Sequence, residues 1–458
     1  MADYSIKPAG LTNKNIAAIF FVALIARFFN AMSIDDIAVY AFEADSPIYW
    51  EGAKAWLESG FFSRVGVNGY IDETERVPLY NLFLLPFRWV FEDAIWPVII
   101  AQSFIDSVTC IFIGLMGSQL GRPIGLVAAF LAAGWPNLII HSQQILSESL
   151  FLFLFTGVLY FSTKFLQTVK LSDALIIGAL CGAAIMTRPV ALYIPLSMAV
   201  VGPLISWKRL GRWTPGVVSS VAMICASLVV ISPLLWRNVS NYGSYQLSAQ
   251  GGTHLLNWVV GYVNSLDRGT TFTEEAKEIQ RKYYAQGTLD RQKVDQVNPF
   301  AFAASQVEFA KQEFLKIPIS SILRAWSYGA ALNLGTPAIV MDPRVRSYNR
   351  NSLMDSTGST LLNRLWSFFK DNHPTYLIWV AIGMAASVGC TVLQLWGLLV
   401  LLRTAFWPAV FGTLVISYFL LASGPIGTPK YRIPFEPVLI VFQAVAMIQI
   451  WTRFRLFK

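Results

Sequence analysis

Charge is what this sequence has least of: Asp, Glu, Lys and Arg make up only 14% of its 458 residues, against about 25% in a typical soluble domain. A solvated globular enzyme of this length is therefore excluded. Histidine is scarce too, with three in the whole chain. No His-x-x-x-His pair, Ser/His/Asp grouping or Gly-rich phosphate loop stands out, so a histidine-ligated zinc, a serine triad or a bound nucleotide has no visible place. The four cysteines, Cys110, Cys181, Cys225 and Cys390, all fall in apolar stretches. Their spacing fits neither a disulfide framework nor a zinc site, which makes them small core residues. Internal repeats, low-complexity stretches and a separate soluble domain are missing as well. The segment 1–14 lacks a short apolar core followed by a cleavage site, so the first apolar stretch reads as an anchor and not as a cleaved signal peptide.

What is present is apolar length. Hydrophobic residues are 55% of the chain and aromatics 14%, and runs of roughly 20 apolar residues recur as transmembrane helices do. They fall near 15–33, 94–117, 123–140, 148–166, 172–187, 190–206, 214–236, 374–402, 405–423 and 432–452. Helices are expected because lipid tolerates no unpaired backbone groups. The fold class is an all-α polytopic membrane protein of about ten transmembrane helices, eleven or twelve if loop segments also cross. Lys7, Lys14, Arg122, Lys164, Lys170, Lys208, Arg209, Arg212, Arg403, Arg453, Arg455 and Lys458 gather on one side, which the positive-inside rule makes cytoplasmic. The net charge of +8 thus reports orientation, and no nucleic-acid partner is expected.

Three regions follow: a transmembrane part over 1–236, a polar loop over 237–373, and C-terminal helices over 374–458. Two long loops, about 34–92 and 237–373, face the outer side of the cytoplasmic membrane. In the first, 47–58 reads as a helix lying in the membrane interface with Tyr49, Trp50, Ala53, Trp56 and Leu57 on one side. The second holds a charged helix near 274–284 and an amphipathic stretch near 309–328. Residues 318–340 are apolar enough to cross, but one more crossing inverts the basic tail, so they are expected on the membrane surface or as a re-entrant segment.

Ionisable groups at a membrane are costly and are functional candidates by default. Asp45, in Asp-Ser-Pro-x-Tyr at the start of the first-loop helix, suits a general base for an acceptor hydroxyl. Its neighbours Asp35, Asp36 and Glu43 read mainly as a solvated acidic loop. Arg76 is either an interfacial arginine or a guanidinium that neutralises phosphate. Asp106, inside an apolar span, must face the bundle interior or a polar cavity, where structural hydrogen bonding is its competing role. Glu148, in Leu-Ser-Glu-Ser-Leu, is the more exposed of the two to a substrate. Arg188, Arg237, Lys430 and Arg432 lie at outer ends of spans; some such residues snorkel, yet together with Arg76 they can hold an anionic phosphate.

These residues, in this order, resemble the integral-membrane GT-C glycosyltransferases, and most of all the bacterial protein O-mannosyltransferase-like and lipid A aminoarabinose transferase-like branch. Asp45-Ser46-Pro47-x-Tyr49, then Ala53 and Glu58-Ser59-Gly60-Phe61, is similar to the first-loop motif of that branch. Arg76-x-Pro78-Leu79-Tyr80 resembles its basic-x-Pro-x-Tyr element. Asp106, Leu146-Ser147-Glu148, Thr187-Arg188-Pro189 and Pro233-x-x-x-Arg237-Asn238 follow in order. Gly251-Gly252 with Asn257 resembles a Gly-Gly-x-Asn element, and Lys430-Tyr431-Arg432-x-Pro434-x-Glu436-Pro437 an Arg-Tyr-x-x-Pro signature. The family often has Asp-Glu where this chain has Asp45-Ser46; Asp35-Asp36 ranks second as the acidic pair.

The resemblance implies a GT-C-like bundle and transfer of a sugar, with inversion, from a polyprenyl-phosphate donor to a lipid, glycan or protein acceptor. Asp45 would be the base, and Arg76, Arg237 and Arg432, with Arg188 and Lys430, would stabilise the leaving lipid phosphate. Glu148, Tyr49, Tyr80, Asp106 and Asn257 would position acceptor or sugar. No cofactor or metal is expected, since arginine can compensate the phosphate charge. The rival is a transporter or flippase of a lipid-linked saccharide, which predicts polar residues continuing toward the cytoplasmic half and two similar halves of the chain. A structural assembly subunit leaves the basic clusters unexplained.

Overall fold

The computed structural model describes residues 10–286, 298–349, 351–353 and 355–456, and within them the chain is almost wholly helical. Eight helices are long and apolar enough to cross a membrane: Asn13–Met32, Trp96–Ser118, Glu148–Thr168, Pro189–Leu210, Thr214–Tyr242, Pro374–Thr404, Phe406–Ser423 and Pro429–Arg453. Among the described residues a bent pair, Arg122–Ala133 and Pro136–Ser142, meeting at 49°, makes a ninth if the two count as one broken span. The break follows from Pro136, which lacks an N–H and pushes the preceding Trp135 out of the helical region, to ψ 116°. The expected span at 172–187 is the helix Leu171–Thr187, 17 residues long and so short of the others. It packs against Glu148–Thr168 and Thr214–Tyr242. Gly178 and Gly182 allow this approach: a Cβ on Gly178 would stand 2.3 Å from the Met223 carbonyl oxygen, and one on Gly182 2.6 Å from Val230 Cβ. Small residues four apart are how helices come together where lipid offers no hydrophobic drive.

Arg27 and Asp106 form the deepest charged contact of the bundle. Arg27 is 0% and Asp106 1% exposed, with Arg27 Nη2 2.5 Å from Asp106 Oδ2. Arg27 Nη1 also donates to the carbonyls of Ala23 and Ala133, both at 2.9 Å. This one side chain thereby ties Asn13–Met32, Trp96–Ser118 and the end of Arg122–Ala133 together. Asp106 faces the bundle interior as expected of a carboxylate in a span, and its partner is a structural cation.

The first loop folds onto the bundle. Its helix runs Ser46–Ser59 and docks on Leu79–Phe91. Tyr49, Trp50 and Ala53 are buried there, and Asn81 Nδ2 donates to the Tyr49 carbonyl at 3.1 Å. The aromatic face of the helix packs on protein: Tyr49 stacks edge-on against the fully buried Tyr80, ring centroids 4.9 Å apart. A hairpin of two short strands, Ser63–Gly66 and Gly69–Asp72, follows.

The charged helix of the second loop is Phe272–Ala285, with a Thr271/Glu274 capping box. The expected amphipathic stretch is two helices, Pro299–Phe314 and Ile319–Gly335, parted at Pro318. Ile319–Gly335 is not among the helices long and apolar enough to span. It is tied to its surroundings by Ser321 to Asp267, Trp326 Nε1 to the Leu421 carbonyl at 3.4 Å, and Asn333 Nδ2 to the Ile426 carbonyl at 3.1 Å. Of the cysteines, Cys110 and Cys181 are buried, but Cys225 is exposed and Cys390 intermediate. Cys225 lies on the outward side of its helix, so its small apolar side chain suits lipid as well as a core.

Removing one partner of a buried ion pair strands the other charge, at a cost of about 3–5 kcal/mol. Arg27→Met or Asp106→Leu alone is expected to lose stability on that scale, and the double variant to recover most of it, measured by thermal unfolding in detergent.

Candidate functional site

A cavity of about 890 Å³ opens where the first loop meets the ends of several spans. Its polar wall carries Asp45, Tyr49, Arg76, Glu148, Arg188 and Lys430, and the rest of its lining includes apolar Leu228, Ile231, Leu235 and Phe419. Six residues far apart in sequence thus share one chamber.

Asp45 stands at the N-terminus of Ser46–Ser59 and makes no capping bond. Its side chain is 39% exposed, and Arg76 Nη2 reaches its Oδ1 at 3.1 Å. Arg76 is held from behind. Glu73 Oε1 accepts from the backbone N–H of Glu75 and Arg76, at 2.7 and 3.0 Å. Ala249 N–H donates to the Thr74 carbonyl at 2.7 Å, and Ser248 Oγ to the Glu75 carbonyl at 2.5 Å. Arg237 Nη2 donates to the Glu73 carbonyl at 2.8 Å. The turn that presents Arg76 is therefore clamped by both long loops and by the end of Thr214–Tyr242.

Opposite lies Glu148, in the first turn of Glu148–Thr168, where the helix dipole favours an anion. It is buried, 2% exposed, yet it lines the cavity, which Asp106 does not. Arg188 hydrogen-bonds its Oε1, and Lys430 Nζ lies 3.1 Å from the same atom. Glu148 Oε2 has no hydrogen-bond partner among the described residues, and neither does the buried Nε of Arg76. Three cationic heads meet two carboxylates on this wall, leaving an excess positive charge and open polar atoms facing a partly apolar chamber. Such a surface favours an anionic, amphipathic ligand.

Five other sequence candidates lie outside the cavity lining. Tyr80 is fully buried and donates to Gln102 Oε1 at 2.7 Å, so it supports Tyr49 from below. Asp106 is engaged by Arg27. Arg237 supports the 73–76 turn. Arg432 spends its guanidinium on Glu436 at 2.8 Å and on carbonyls of Leu334 and Thr336, both at 3.0 Å. Asn257 lies in the π-helix His254–Val260, of which His254 reaches the cavity. The alternative acidic pair is also elsewhere, since Asp36 caps the helix Ile37–Ala41 and Asp35 is exposed. Arg27 and Glu73 were not among the sequence candidates. Arg27 was legible as an ionisable residue in an apolar span, whereas Glu73 looks like any loop carboxylate until its turn is seen.

A second cavity of about 700 Å³ lies toward the other ends of the same helices. Buried Phe155, Val415 and Phe435 fill the bundle between the two.

The fold and this chamber define a multi-pass membrane protein with the GT-C fold of integral-membrane glycosyltransferases. Residues 75–236 match the family described as dolichyl-phosphate-mannose-protein mannosyltransferases. The chain is similar to the oligosaccharyltransferase AglB of Archaeoglobus fulgidus tethered with an acceptor peptide, at 13% identity and TM-score 0.53 over 97% of this chain and 50% of that one. The same oligosaccharyltransferase with an inhibitory peptide and a dolichol-phosphate gives 12% identity and TM-score 0.54, over 97% and 51%. ArnT of Cupriavidus metallidurans bound to undecaprenyl phosphate gives 15% identity and TM-score 0.39, over 95% and 77%. The chain thus spans about half the length of the oligosaccharyltransferase it resembles. No curated protein matches it.

Burial raises the pKa of Glu73 above its ordinary 4.5, although two backbone N–H donors oppose the shift. Stability from this group is complete below pH 4.5 and is lost as pH rises through the higher folded value. Glu73→Gln, which keeps Oε1 as an acceptor, is expected to flatten that decline, read as the melting temperature in detergent from pH 4 upward.

Proposed function

We propose that this chain transfers a glycosyl group from a polyprenyl-phosphate donor to a lipid, glycan or protein acceptor at the outer face of the cytoplasmic membrane. The observation that carries this reading is the placement of Asp45 and the Arg76, Arg188 and Lys430 cations around one chamber with a partly apolar lining. A donor of this class has a charged phosphate joined to a long hydrocarbon chain, and both halves match the lining. The fold of the oligosaccharyltransferase and the family match over 75–236 support the same class. In this reading the cavity-lining cations compensate the charge of the phosphate.

In the proposed step, the acceptor oxygen attacks the anomeric carbon as the bond from that carbon to the phosphate oxygen breaks, inverting the centre. Asp45 accepts the acceptor's proton, and the lipid phosphate leaves with the bonding pair. Arg76, the cation facing Asp45, fixes the carboxylate and shares the developing charge. Arg188 and Lys430 lower the energy of the departing phosphate, helped by the low dielectric of a membrane-edge chamber. Glu148 positions those two cations. Arg237, Tyr80 and Asp106 act at one remove, by holding Arg76, Tyr49 and the bundle. Arg432 holds the Lys430 segment, and Asn257 belongs to the helix that brings His254 to the wall.

The test is turnover of polyprenyl-phosphate-linked sugars by the purified protein reconstituted in lipid. Losing a general base costs about 10²–10⁴-fold, and losing one charge-stabilising donor about 10²–10³-fold. Asp45→Asn is expected in the first range with donor binding kept, and Arg188→Gln in the second. Full activity of Asp45→Asn removes the base from the mechanism. Movement of a lipid-linked saccharide across vesicles without any transfer instead establishes the transporter.

A further inference from the structure

The second cavity has no part in this chemistry, yet it has the features of a binding site. It is formed by the far ends of Trp96–Ser118, Glu148–Thr168, Pro189–Leu210 and Pro374–Thr404, with the start of Phe406–Ser423 and the middle of the last span. Its volume of about 700 Å³ falls within the roughly 300–1,000 Å³ of ligand pockets. Leu401, Val438, Val441 and Phe442 make its inner wall apolar, while Lys208 and Arg209 stand in its lining at the exposed end. Neither cation has a carboxylate partner among the described residues, while two other basic residues of this side are engaged. Lys164 pairs with Asp173 at 3.6 Å, and Arg122 donates to Asn15 at 3.0 Å. Lys208 Nζ rests 4.2 Å from the ring centroid of Trp407, an aromatic of the kind that sits at headgroup level. Two free cations at the mouth and hydrocarbon within call for an occupant with one anionic end and one apolar end.

We propose that this cavity binds an anionic phospholipid of the leaflet opposite the Asp45 chamber. Its phosphate lies at Lys208 and Arg209, and one acyl chain lies along Leu401, Val438, Val441 and Phe442. Basic pockets between transmembrane helices are suited to such headgroups. This inference does not depend on the proposed glycosyl transfer.

The experiment titrates the full-length protein in detergent with phosphatidylglycerol or phosphatidylcholine of identical chains and counts bound lipid by native mass spectrometry. The wild type is expected to prefer phosphatidylglycerol by roughly tenfold or more, in line with two cations at a lipid surface. Lys208→Gln/Arg209→Gln, which alters only exposed side chains, is expected to abolish the preference. Arg122→Gln, on the same side but outside the cavity, is expected to retain it. Thr163→Trp, which narrows the chamber, is expected to reduce binding of both lipids. Equal binding of the two lipids by the wild type overturns the proposal, as does a preference that survives the double substitution. Loss of preference in Arg122→Gln also overturns it, by assigning the effect to overall surface charge. Displacement of phosphatidylglycerol by millimolar inorganic phosphate overturns the lipid assignment in favour of a free anion.

Discussion

Glu148 sits buried at the start of its span and holds two cations, Arg188 from the end of Leu171–Thr187 and Lys430 from the start of the last span. In water such pairs contribute little, since a solvated surface ion pair is worth about 0–1 kcal/mol. Here desolvation makes an unpaired charge costly, so the three groups constrain one another and the helices that bear them. The constraint reaches the candidate site because the same three side chains form its wall.

A similar economy runs through the rest of the molecule. Arg27 and Asp106 join Asn13–Met32 to Trp96–Ser118, while Arg432 and Glu436 join the last span to the end of Ile319–Gly335. Each is a basic residue whose donors are nearly all spent on carboxylates or helix-end carbonyls. At the cavities, Arg76 has an unpartnered Nε at one end, and Lys208 and Arg209 stand in the lining without a carboxylate partner at the other. Partner geometry thus separates the charges that lock helices from those that line the cavities.

The division also explains which site residues were legible. Asp45, Arg76, Glu148, Arg188 and Lys430 could be named from sequence because an ionisable residue next to an apolar run has few innocent explanations. The same logic named Asp106 and Arg432, which turn out to be engaged with Arg27 and Glu436. Sequence marks a charge as costly but does not say who compensates it. The aromatic face of Ser46–Ser59 shows a parallel limit. Its periodicity was plain, yet burial against Leu79–Phe91 and burial in lipid leave the same pattern of apolar residues.

Hydropathy by itself determined that the chain is helical and membrane-spanning, because only helices satisfy their own backbone over 20 apolar residues. It also placed the spans closely, since each has to match a hydrocarbon thickness. What only the tertiary structure decided was the pairing: Asp45 with Arg76, Glu148 with Arg188 and Lys430, and the clamp that Arg237, Ser248 and Ala249 place on the 73–76 turn. Those contacts join residues up to hundreds of positions apart, and no local pattern encodes them. They depend on how the spans pack, and that is set by small residues such as Gly178 and Gly182 and by the break at Pro136.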